Sequence, residues 1–149
     1  MKEAVAKSLE LLVENDAHLL DVDANERSIT HRLAEHLRSL LPGLDVDCEY
    51  NRNRRTPKRL RSLAEQGSTT LDDTDGTSVF PDIIVHRRGT DENLLVMEVK
   101  KSTSRRDEEL DMQKLHGYVD ELGYQYAVFV KILTGRDGPG FDPPTWIKG

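Results

Sequence analysis

Residues 79–101 read VFPDIIVHRRGTDENLLVMEVKK, and they set the architecture of the chain. Two runs, Val79–Arg87 and Leu94–Lys101, are rich in β-branched and other apolar residues, and Arg88-Gly89-Thr90-Asp91-Glu92 lies between them. That pattern predicts two strands joined as an antiparallel hairpin. With a five-residue loop at 88–92, residue 87 pairs with 93, and the register followed back sets Asp82 opposite Glu98. Side chains alternate faces along a strand, so Glu98 and Lys100 share one face and Val99 takes the other.

Working outward, Leu44, Val46, Cys48 and Tyr50 alternate with Asp45, Asp47 and Glu49, the period of a half-buried strand. Cys48 in that alternation reads as a small core residue. Downstream, Leu110, Leu115, Tyr118, Val119 and Leu122 mark a helix over about 106–122 that Gly123 stops, and Tyr124–Leu133 is a dense apolar run expected as a buried strand. Upstream, Val5, Leu9, Leu12 and Val13 recur at helical spacing, giving an N-terminal helix over residues 1–20. A second helix carries Ile29, Leu33, Leu37, Leu40 and Leu41 and ends at Pro42-Gly43. The segment 52–78 is an insertion, with a short helix expected around Lys58–Glu65 and an aperiodic loop after it. Residues 134–149, rich in Gly and Pro, read as an irregular tail pinned by Trp146. Helix, helix, three strands, helix, strand is the order of an α/β sandwich with a mixed sheet.

The chain has 149 residues, so one domain over 1–149 is expected, and with 36% apolar and 32% charged residues it is polar without being globally disordered. No stretch approaches the ~18 uncharged apolar residues of a membrane span. The opening MKEAVAKSLELLVEND has glutamates where a signal peptide needs an apolar core. The single Cys48 excludes an intrachain disulfide and a cysteine-based zinc cluster and fits a reducing compartment, so a cytoplasmic location with no membrane partner is expected. Net charge is −6, yet Arg52, Arg54, Arg55, Lys58, Arg59 and Arg61 lie in a ten-residue run without an acid, leaving 27 acids against 15 bases elsewhere. Such a run on an acidic body suggests one local surface for a polyanion, with a solvated loop as the plainer alternative.

Asp82 and Glu98, set opposite each other, have Cβ atoms ~4.5–5.5 Å apart in such a pairing. Two carboxylates that close repel unless a proton or a cation sits between them. Mg²⁺ takes oxygen ligands and is commonly held by one or two carboxylates with water and substrate phosphate. Lys100, one pleat away, can orient or help deprotonate an attacking water or stabilise charge on a phosphate. The assembly suits phosphodiester hydrolysis. No Gly-rich phosphate loop, no GxSxG nucleophile and no metal-ligand spacing among His18, His31, His36, His86 and His116 offers a competing site.

Pro81-Asp82 followed by Glu98-Val99-Lys100 on adjacent strands resembles the PD-(D/E)XK nuclease superfamily, over about residues 24–133. The resemblance implies a three-layer, restriction endonuclease-like α/β core (αβββαβ) and a divalent-metal-dependent nuclease, with a DNA endonuclease as the leading reading. It implies Asp82, Glu98 and the Val99 carbonyl as metal ligands, Lys100 as the catalytic lysine, and Mg²⁺ as cofactor with Mn²⁺ able to substitute. It also implies an acid from the first core helix, for which Glu26 is the candidate, and a polar residue on the later helix, Lys114 with Tyr118 one turn on, or else Gln113. DNA is the expected partner, with RNA as the other option. Members are often dimers, so a homodimer is an option on which the sequence is silent.

Plainer readings stand beside these. Asp23-Ala24-Asn25-Glu26 is a complete capping box with Asp23 as N-cap and Glu26 reaching back to it. Glu98 and Lys100 could form an exposed cross-strand charge pattern, although VFPDIIV and LLVMEVK make unpaired charge there costly. Lys114 could be a solvated helix residue. A nuclease fold kept as a nucleic-acid-binding or assembly module with little catalysis is the alternative at the level of function.

Overall fold

The computed structural model describes residues 1–50, 59–60, 77–78 and 80–148. Helices α1 (Lys2–Asn15), α2 (Ala17–Asp21) and α3 (Glu26–Leu40) are followed by strand β1 (Asp45–Cys48). Two short strands, β2 (Arg59–Leu60) and β3 (Thr77–Ser78), pair with each other. The hairpin strands are β4 (Ile83–His86) and β5 (Asn93–Lys101). Helix α4 (Glu108–Leu122) then crosses to β6 (Tyr126–Leu133), and β7 (Gly140–Phe141) and β8 (Thr145–Ile147) close the chain. The main sheet has six strands: β1, β4, β5, β6 and β7 in that order, with β8 also on β6. Among the described strands only the β5–β6 pairing is parallel, so the chain is α/β with a mixed sheet.

Both faces of this sheet are covered, which explains the unbroken apolar runs of its central strands. Ile83, Val85, Leu95, Met97, Val99, Val128, Val130 and Ile132 share one core with the stripes Val5, Leu9, Leu12 of α1 and Ile29, Leu33, Leu37 of α3. Ile84, Val96, Ala127 and Phe129 form the other core with Leu115 and Tyr118 of α4. The parallel step from β5 to β6 needs a long crossover, and α4 supplies it. Its start is capped by Asp107, whose side chain accepts from Glu109 N–H at 2.8 Å. Its end is closed by Gly123 at φ 68°, a left-handed conformation in which glycine has no Cβ to clash.

The hairpin keeps the expected register by a different route. Arg87 N–H donates to Glu92 O, which shortens the loop to 88–91. A bulge between Val85 and His86 makes up the difference, so Ile83 faces Met97 and Ile84 faces Val96. Leu94 is the extra residue, and it packs onto the α1–α3 core.

Several expectations are corrected. The N-terminal helix breaks at Asp16, whose carboxylate turns away to accept from Arg32 Nε at 2.9 Å and to meet His36 Nε2 at 2.6 Å. The N-cap of α3 is Asn25, which accepts from Ser28 N–H at 2.7 Å. Asp23, expected as that cap, sits at φ 52° with its carboxylate on Thr134 Oγ1, Thr103 Oγ1 and Lys101 Nζ, so Glu26 has no capping-box partner. Cys48 is exposed rather than core. Strand β4 starts at Ile83, since Pro81 has no N–H for a ladder. The tail is not irregular throughout: β7 and β8 take the second edge of β6, with Trp146 edge-on to Tyr126 at 6.3 Å. Of the helix expected at Lys58–Glu65, Arg59–Leu60 is strand, and the rest lies outside the described residues. No helix among the described residues is long and apolar enough to cross a membrane.

Candidate metal and catalytic centre

The site begins where β4 stops and β5 continues. Beyond Ile83–Met97, the alternation of an antiparallel pair turns the N–H groups of Val99 and Lys101 toward a strand that is no longer there. Two carboxylates take them: Asp82 Oδ2 accepts from Val99 N–H at 2.7 Å, and Glu26 Oε2 from Lys101 N–H at 3.2 Å. Glu26 is placed by the start of α3 and Asp82 by the lead-in to β4. The same alternation aims the Val99 carbonyl to this side, opposite Pro81, which has no hydrogen to give it.

Asp82 lies opposite Glu98, as the continued register requires. Glu98 is only 2% exposed. Burial and the facing Asp82 charge push its carboxyl well above the usual range, against the pull of Lys114. Burial also raises Asp82, opposed by the Val99 N–H and the hydrogen bond from Glu98. Both shifts have one origin, two carboxyl groups set together away from solvent. Tyr118 Oη donates to Glu98 Oε1 at 3.1 Å, and Lys114 Nζ stands 3.7 Å from Glu98 Oε2. Lys114, rather than Gln113, is the helix residue that reaches the acids. Glu98, Asp111 and Asp82 together keep its ammonium charged against the cost of burial.

Lys100 follows Glu98 on the same face and is 1% exposed. Its ammonium donates to the Arg106 carbonyl and stands 3.4 Å from Asp111 Oδ2. Asp111 also holds Lys114 at 3.4 Å. Asp111 was not singled out from the sequence, although a signal exists. It precedes Leu115 by four positions and Tyr118 by seven, which puts an acid on the buried stripe of α4. Arg106 forms an ion pair with Glu26 Oε1 from the turn between β5 and α4.

A cleft of about 690 Å³ opens beside these groups, with Glu26, Arg27, Cys48, Glu49, Asp82 and Arg106 in its wall. Cys48 is no activated nucleophile there: partial burial and the Asp47, Asp82 and Glu49 charges push its thiol up to about 11. His86, on the Asp82 face, is engaged by Asp47 Oδ2 at 2.7 Å. Of the basic run, Arg52, Arg54, Arg55, Lys58 and Arg61 lie outside the described residues, and Arg59 is described only as backbone of β2.

Among the described residues, no three His, Cys, Asp or Glu side chains are grouped so as to hold a metal ion. The Asp82 and Glu98 carboxylates and the Val99 carbonyl are hard oxygen donors, in the number Mg²⁺ accepts when water fills its remaining positions. They fit that cation and would not suit a soft metal. Comparison of the chain with known protein families, with curated proteins and with solved structures finds no match.

Proposed function

We propose that the chain is a divalent-metal-dependent nuclease of the PD-(D/E)XK type, with a restriction endonuclease-like core, that hydrolyses phosphodiester bonds, DNA first among its substrates. The observation that carries the reading is the opposition of Asp82 and Glu98 at the open edge of β5, with Lys100 next on the same face. A buried acid pair is costly to keep, and such costs concentrate at functional sites. Asp82, Glu98 and the Val99 carbonyl would hold Mg²⁺ or Mn²⁺, with Glu26 as the further acid, and the cation would supply Lewis-acid activation of water and phosphate. Lys114 and Tyr118 fix the Glu98 carboxylate. Asp111 and the Arg106 carbonyl hold the Lys100 ammonium on the acids' face, where it can handle a proton or balance phosphate charge.

One observation favours the alternative, a nucleic-acid-binding module with little turnover: Glu26 is already engaged by Lys101 N–H and Arg106. Incubation with linear, circular and branched DNA and with RNA, each with Mg²⁺, Mn²⁺ or EDTA, separates the two. Cleavage that EDTA abolishes supports the enzyme. Tight binding of DNA without cleavage in any arm gives the binding module.

A further inference from the structure

Arg106 holds two of the candidate catalytic groups at once. Its guanidinium pairs with Glu26 Oε1, and its backbone carbonyl accepts from Lys100 Nζ. The Glu26 carboxylate is thereby fully engaged, one oxygen on Arg106 and the other on Lys101 N–H. The cations near the acids differ in access. Lys100 is buried against Asp111, and Lys114 is half-buried between Glu98 and Asp111. Arg106 has a side chain 61% exposed and stands in the wall of the cleft with Asp82.

The Arg106 end of this ion pair lies open to the cleft although Glu26 is largely buried, so an arriving anion can reach the guanidinium and compete for it. A guanidinium binds phosphate in the same forked geometry as carboxylate, so the exchange would give up little hydrogen bonding. We propose that Arg106 is the phosphate-binding residue of the site and works by exchange. It leaves Glu26 for a phosphodiester of the bound strand, so that arrival of substrate releases the Glu26 carboxylate beside Asp82. The inference rests on the nuclease reading and deepens it, assigning the strand's backbone a partner and giving the resting site a closed form. Replacing the side chain leaves the Arg106 carbonyl to Lys100, which keeps the two contacts separable.

The test is anisotropy of a fluorescein-labelled 20-nucleotide DNA, single-stranded and duplex, in EDTA, with cleavage kinetics in Mg²⁺ run in parallel. Arg106→Gln should weaken binding about tenfold and flatten the log K versus log salt slope by about 0.9 on duplex. It should raise KM and leave the melting temperature within about 1 °C of wild type, because the side chain is on the surface. Arg106→Lys should restore the slope. Glu26→Gln, which removes the internal competitor, should tighten binding by about two- to fivefold. An unchanged affinity and slope in Arg106→Gln would overturn the assignment, and an unchanged affinity in Glu26→Gln would overturn the exchange. A wild type that neither binds nor cuts any nucleic acid would overturn the nuclease reading itself, and the exchange with it.

Discussion

Lys100 is expected to be as important to stability as to chemistry, and the size of that effect follows from its surroundings. Its side chain is 1% exposed and its partner Asp111 is 8% exposed, so Lys100→Met leaves a carboxylate inside the protein with one cation fewer. Removing one member of a buried pair costs ~3–5 kcal/mol. Lys114 still stands 3.4 Å from Asp111, and methionine fills the space of the lysine stem, which places the expected loss near the lower end, at about 3 kcal/mol. For a chain of this length that is a drop in melting temperature of roughly 6–12 °C. Asp111→Asn alone should also destabilise. The double variant, with both charges gone, should recover at least about 2 kcal/mol relative to the sum of the single losses. Urea unfolding followed by circular dichroism at pH 7.5 in EDTA measures all four proteins. A single Lys100→Met loss under about 1 kcal/mol, or strictly additive losses, would refute the account of this buried pair. The same experiment fixes the temperature at which Lys100→Met is folded, and there its cleavage rate should be lower by ~10²–10⁴-fold with DNA binding retained.

At the break between α1 and α2, burial raises Asp16, but hydrogen bonds and charge from His36 and Arg32 outweigh it and hold the carboxyl below its ordinary value of 3.8. A depressed acid contributes stability that is present above its unfolded value and is lost as pH falls through the folded one. Asp16→Asn should therefore cost about 1–3 kcal/mol at pH 6–7, and the gap to wild type should close in thermal melts below pH 3.8. For the basic run, replacing Arg54, Arg55 and Arg59 together by Ala should flatten the salt dependence of DNA binding by about two to three units if all three touch phosphate. An unchanged slope would make the run a solvated loop.

What could be read from the sequence was what local rules decide. The hairpin register follows from period and loop length, and it survived an error in the loop because one bulge residue, Leu94, compensated. Facing and burial of Glu98 and Lys100 follow from strand alternation between apolar neighbours. What escaped was decided by distant partners. Asp23 and Asn25 are both fair N-caps, and the choice between them was made by Thr103, Thr134 and Lys101, from strand ends far along the chain, which draw the Asp23 carboxylate away. Strands β7 and β8 carry too little periodicity to announce themselves and exist because β6 offers them an edge. The two roles of Arg106, one by side chain and one by carbonyl, have no signature in a turn that reads Ser102-Thr103-Ser104-Arg105-Arg106.

The most direct test of the central claim is calorimetric titration of Mn²⁺ into wild type, Asp82→Ala and Glu98→Ala. The wild type should bind one or two ions, and each variant should lose that binding while remaining folded by circular dichroism. Unchanged metal affinity in both folded variants would contradict a cation site between Asp82 and Glu98, and with it the proposed chemistry.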